Sequence, residues 1–145
     1  DIASSNKLKI TTSGVSMGSV SPDTTVLKKW YETKSVATAS GSTLAIDLSL
    51  GSIFTTNLIQ DKSIFTITNA EAGSSFTWIA KQHGSSDFDL SYGTTTVNGA
   101  SKNILWNGGK APSIGTDNDS YTILTFFYDG TNLFGMVGGR NFKTA

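Results

Sequence analysis

Residues 42–51, STLAIDLSLG, alternate strictly: Leu44, Ile46, Leu48 and Leu50 fall on one side of an extended chain and Thr43, Ala45, Asp47 and Ser49 on the other. A period of two is the spacing of a half-buried strand, with one face in a core and the other toward water. Similar short blocks follow at 53–59 (IFTTNLI), 63–69 (SIFTITN), 74–82 (SSFTWIAKQ) and 88–92 (FDLSY), each closed by a turn cluster such as AEAGS or HGSSD. The stretch 120–139 reads as a hairpin, because Asp129-Gly130 supplies the tight turn between two apolar arms. Its first arm is apolar on both sides, Tyr121, Ile123 and Phe127 against Leu124, Phe126 and Tyr128. Such a strand is central to its domain or covered by a second subunit. The strand spacing argues for a sandwich or barrel, and the expected fold is all-β, an antiparallel β-sandwich that is jelly-roll-like.

Ser and Thr occur 20 times each and Gly 15 times, while Glu stands only at 32 and 71, which suits strands and turns rather than helices. A length of 145 residues fits one domain able to bury a core without disulfides, and the chain has no cysteine. Residues 1–40 carry only short apolar pulses among Ser and Gly and are expected to lean on neighbours as a docking or oligomerisation segment. The sandwich spans 41–142, and 143–145 form a tail. SPDTTVLKKWYE (21–32) fits either a short helix capped by Ser21 with Pro22 in its first turn, or a strand favoured by its Thr-Thr-Val run. Eleven basic residues balance eleven acidic ones without clustering, so nucleic acid is not an expected partner. No apolar run approaches a membrane span and residues 1–20 lack the regions of a secretory signal, so no membrane insertion is expected.

The segment NILWNGGKAPSI (103–114) combines Trp106, Gly108, Gly109, Lys110 and Pro112, and invites a phosphate-loop reading. The spacing fails it: Ile104 stands where the loop needs glycine, and Ala111 where it needs Ser or Thr. A chain-reversing corner is the better reading. At DNDSYT (117–122), Thr122 and Tyr128 occupy the positions where a calcium loop needs Gly and a carboxylate, leaving a solvated turn. Asp87 and Asp89 share one face of the expected strand and are a formal acid–base or cation-binding pair, although charges that protect an edge explain them more simply. His83, the single histidine, reads as a loop residue; with no cysteine it makes no typical zinc site, and no Gly-x-Ser-x-Gly elbow accompanies it. Asn118-Asp119-Ser120 matches a glycosylation acceptor, without meaning for a protein made in bacteria. Trp30, Trp78 and Trp106 are candidates for sugar stacking, but Trp78 shares a face with Phe76 and Ala80, and Trp106 follows Ile104 and Leu105, as core residues do. No catalytic residue, metal site or cofactor is expected.

A resemblance adds what these residues do not say. ILWNGGKAPSI followed by SYTILTFFYDGTNLFGMVGGRNF resembles a module of tail-fibre and other virion proteins of tailed bacteriophages, notably those of cyanobacteria and marine bacteria. Trp106, Gly108, Gly109, Ala111 and Pro112 match its turn; Phe126, Phe127, Asp129 and Gly130 its strand end; Phe134, Gly135, Gly138, Gly139, Asn141 and Phe142 its close. Upstream, WYETKSVATASGSTLAIDLSLGSIFTTNL resembles the lead-in, so the likeness runs from about Trp30 to Phe142. Asn107, where relatives carry Pro, and GSSDFDLSYGTTTVNGASKN depart from the pattern. The resemblance implies a non-enzymatic structural protein of the virion, assembled in the bacterial cytoplasm and working as a homotrimer. It implies a tail-fibre component for host attachment, with a capsid decoration or head fibre as the alternative. Sister subunits and other virion proteins are the implied partners, with a host surface glycan as a further one. Two rivals stand beside this reading: a carbohydrate-binding module using an exposed tryptophan, and a depolymerase, for which only Asp87 and Asp89 offer carboxylates.

Overall fold

In the computed structural model, which describes residues 31–84 and 87–144, the amphipathic blocks form strands that pass alternately from one sheet to another. In chain order the strands are β1 (Lys34–Val36), β2 (Thr38–Ser40), β3 (Thr43–Asp47), β4 (Ile53–Leu58), β5 (Lys62–Thr68), β6 (Ser74–Gln82), β7 (Leu90–Val97), β8 (Ala100–Ser101), β9 (Ile104–Trp106), β10 (Tyr121–Tyr128) and β11 (Leu133–Phe142). One sheet has the order β1-β4-β6-β10-β11-β9 and the other β2-β3-β5-β7-β8. The all-β expectation is met.

The expected antiparallel pairing is not. Five of the nine pairings among the described residues are parallel: β1 with β4, β3 with β5, β4 with β6, β5 with β7 and β9 with β11. Parallel neighbours need a crossover between them, usually a helix. Here the crossover is a strand of the opposite sheet, so β3 to β7 wind as a coil around a shared interior. Each strand then needs only one apolar face, which is why its sequence looks the same as that of an antiparallel strand. The β10–β11 hairpin closes the coil antiparallel to β6, and β10 is flanked on both edges by β6 and β11.

The core lies between the sheets. Leu44, Ile46, Phe65 and Ile67 face Phe54, Leu58, Phe76, Trp78, Leu124 and Phe126, all buried. Phe126 is its hub, with ring centroids 4.9 Å from Phe76, 5.3 Å from Phe65 and 5.8 Å from Trp106. The Trp78 indole N–H is satisfied inside the core by Thr56 Oγ1 at 3.1 Å, so its burial leaves no donor unpaired.

β3 and β7 depart most from their expected limits. Of the block 42–51 only Thr43–Asp47 is strand; the Asp47 carboxylate then accepts from Ser49 N–H and turns the chain into a single 3-10 turn, Leu48–Leu50, leaving Leu50 exposed. β7 begins at Leu90, so Asp87 and Asp89 precede it and share no strand face. Lys34–Val36 and Thr38–Ser40, assigned by sequence to the N-terminal segment, pair with β4 and β3. The helix-or-strand stretch 21–32 lies outside the described residues except for Tyr31 and Glu32, and Trp30 lies outside them.

Candidate functional site

The segment 103–114 is a corner that also builds an apolar concavity on the surface. Ile104–Trp106 forms edge strand β9, and Asn107–Gly109 makes a single turn in which Gly108 and Gly109 take φ values of 73° and 72°. Only glycine adopts that left-handed geometry without cost, so the pair reverses the chain where a phosphate loop would have run into a helix. Lys110 is exposed.

Alternation along β9, β10 and β11 separates two sets of side chains. Trp106 points inward, edge-on to Tyr92 at 4.8 Å, and lies over Gly135, where any β-carbon would overlap its ring. Leu105, Phe134 and Phe127 stand in register on the outward side, across three neighbouring strands. The rings of Phe127 and Phe134 are nearly parallel, with centroids 6.2 Å apart. With Met136, the edge of Trp106 and Asn107 they line a groove of about 570 Å³. Leu105 and Met136 expose 47% and 46% of their surface, against a core where most side chains expose almost none. Asn107 is the sole polar side chain of that lining among the described residues.

The same outer face continues across the sheet. Ile123 of β10, Ile79 of β6, Thr55 of β4 and Val36 of β1 form one row, and Val36 is 73% exposed. A shallow depression of about 350 Å³ there is bordered by Lys34, Asn57, Lys81 and Tyr121. The outer face of the five-stranded sheet is different in kind: Thr43, Thr66, Thr68, Thr94 and Thr96 lie across β3, β5 and β7. A third, polar cleft of about 430 Å³ lies between Ser113, Thr116, Arg140 and Asn141, where the Arg140 guanidinium donates to Ser113 Oγ at 3.0 Å.

The candidate chemical residues are occupied by structural tasks. Asp89 Oδ1 accepts the N–H groups of Leu90 and Ile114, at 2.8 and 2.9 Å, and ties the segment before β10 to the start of β7. Asp87 is exposed. The buried amide of Gln82 completes this tie: its Nε2 donates to the carbonyls of Phe88 and Gly115, and its Oε1 accepts from Phe88 N–H. The period of two puts Gln82 on the inward face of Phe76, Trp78 and Ala80, although a polar residue at a strand end reads as solvent-facing. His83 sits in the loop after β6, its ring 6.5 Å from that of Phe88. Of the carboxylates in the turn that begins at Asp117, Asp117 pairs with Lys143 and Asp119 with Lys81, both at 2.7 Å. The hydrogen bond and charge of Lys81 hold Asp119 below the usual carboxylate range and raise Lys81 in return. Asp129 is likewise lowered, first by the backbone N–H of Asn132 and then by its side chain, in the turn between β10 and β11. Among the described residues no three His, Asp or Glu side chains converge.

Of the three tryptophans, Trp78 is fully buried, Trp106 is half-buried and shows one edge to the groove, and Trp30 lies outside the described residues. No protein family, curated protein or solved structure matches this chain.

Proposed function

We propose that this chain is a non-enzymatic structural protein of a tailed-phage virion, a fibre-type component that acts as a homotrimer and contributes to host attachment. One observation carries the reading: the residues through which the sequence resembles phage fibre modules are those that build the closing corner of the fold. Gly135 makes room for the Trp106 ring, Gly139 lies against the Phe142 ring, and Asp129 ties the turn between β10 and β11. Residues occupied by such packing suit a scaffold better than a reaction centre. The apolar outer row Leu105–Phe134–Phe127 adds support, because an assembly supplies cover that a lone chain lacks. Asp89 Oδ1 is engaged by two backbone N–H groups, a structural tie between the start of β7 and the segment before β10.

Antibody labelling of purified particles, read by electron microscopy, tests the assignment. Label on tails is the expected result, and label on heads moves the chain to the capsid-decoration alternative. Absence of the chain from the particles removes the virion reading altogether.

A glycan contact at the groove finds less support. Sugar recognition uses hydrogen bonds alongside aromatic faces, and Asn107 is the groove's one polar side chain among the described residues.

A further inference from the structure

We propose that the outer face of the six-stranded sheet, centred on Leu105, Phe127, Phe134 and Met136, is the surface on which a second copy of this chain seats. The inference deepens the reading above and rests on it only for the expectation that copies associate.

The groove selects an apolar occupant. Among the described residues no charged side chain lines it, so a sugar or a polar peptide placed there would give up its hydrogen bonds to water with almost none returned. The opposite outer face, with Thr43, Thr66, Thr68, Thr94 and Thr96, shows that the fold accepts a polar exterior where nothing needs to be covered. Ile64 and Ala45 share that face with the threonines, whereas the rings of Phe127 and Phe134 crowd this one.

Charge and area favour another copy as the occupant. The chain is formally neutral, 11 positive against 11 negative, so two copies approach without long-range repulsion. Of the cations at the far border of the face, Lys81 is neutralised by Asp119. Six strands spaced ~4.8 Å apart make a face about 24 Å wide, and β10 is about 27 Å long. Allowing for the short edge strands, the flat footprint is on the order of 500 Å², and corrugated side chains raise the accessible area toward the ~800 Å² per partner of a stable interface.

The test compares three full-length proteins by sedimentation equilibrium from about 1 to 100 µM, a range that brackets micromolar association. The natural chain is expected at a multiple of its 15.3 kDa mass. Leu105→Lys/Met136→Lys buries unpaired cations in the apolar contact and is expected to weaken association by at least about 100-fold. Thr66→Lys/Thr94→Lys, on the threonine face, is expected to associate as the natural chain does. A natural chain of single mass throughout overturns both this inference and the trimer. Association undiminished in Leu105→Lys/Met136→Lys overturns the surface while leaving assembly intact.

A second readout does not depend on a disruptive variant. Because the chain has no cysteine, Met136→Cys and Thr94→Cys each accept one environment-sensitive dye. The dye at 136 is expected to shift to the blue as protein is concentrated, and the dye at 94 to stay constant. The reverse pattern overturns the proposal. So does a dye at 136 that stays shielded in protein sedimenting at the 15.3 kDa mass of one chain, which would mean cover by the chain's own residues.

Discussion

The Tyr92 hydroxyl is buried beside Trp106 and finds no hydrogen-bond partner among the described residues. Burial pushes its pKa up, with a smaller push from Asp89, so the phenol stays neutral well past its ordinary range. A buried donor without a partner carries a desolvation cost that the ring's packing must offset. Tyr92→Phe keeps the ring against Trp106 and removes that cost. It is expected to leave stability unchanged or raise it by up to about 1 kcal/mol, read from denaturant midpoints. Asp129 behaves oppositely. Its folded pKa lies below the ordinary value of 3.8, so its contribution is fully present above that value and is lost as pH falls through the lower folded one. Asp129→Asn should therefore flatten the fall of melting temperature below about pH 4 and change its slope little near neutrality. An equal slope in both proteins would remove the carboxylate from the account.

Within an element, two adjacent rings carry different loads. Phe126 is fully inside and touches three other rings, whereas its neighbour Phe127 faces outward beside Phe134. Phe126→Ala is expected to cost ~3–5 kcal/mol, and Phe127→Ala about 1 kcal/mol or less at concentrations where copies are apart. Comparable losses would mean that the outward row is core. Elements were legible in the sequence where this alternation is long: β6 has the limits its pattern predicts, and the Asp129-Gly130 turn joins β10 to β11. The direction of pairing was not legible, because a strand covered on one face alternates in the same way whether its neighbour is parallel or antiparallel. Nor were the two- and three-residue strands β1, β2, β8 and β9, too short to show a period. One signal was present and went unread: Asn98-Gly99, with φ values of 50° and 81°, is the tight-turn pair joining β7 to β8. Of the candidate site, the sequence marked Phe127 as the surplus apolar face of β10. It did not bring Leu105 and Phe134 beside it, since that depends on the parallel register of β9 on β11.

At the scale of the whole molecule, the winding of β3 to β7 denies either sheet an independent existence. β3, β5 and β7 belong to one sheet while β4 and β6, between them in the chain, belong to the other. A half-chain therefore carries strands of both sheets and completes neither. In a sandwich of local hairpins one edge can open alone, but here removing β6 takes away the partner of both β4 and β10 and the Trp78 side of the core. Cooperativity should follow from topology: residues 31–144 are expected to unfold as one unit, although subunits of opening are common in other folds. In a Trp30→Phe background, fluorescence reports on Trp78 and Trp106 while far-ultraviolet circular dichroism reports on all strands. The two urea midpoints are expected to coincide within roughly 0.2 M. Refolding should be slow for the chain's size, in the range of milliseconds to seconds, because each parallel pair forms only after the intervening strand has crossed. A fluorescence transition that precedes the loss of strand signal would show that the β9–β11 corner opens by itself. The coil would then be a scaffold carrying a separable end, and the interleaving would bind only β3 to β7.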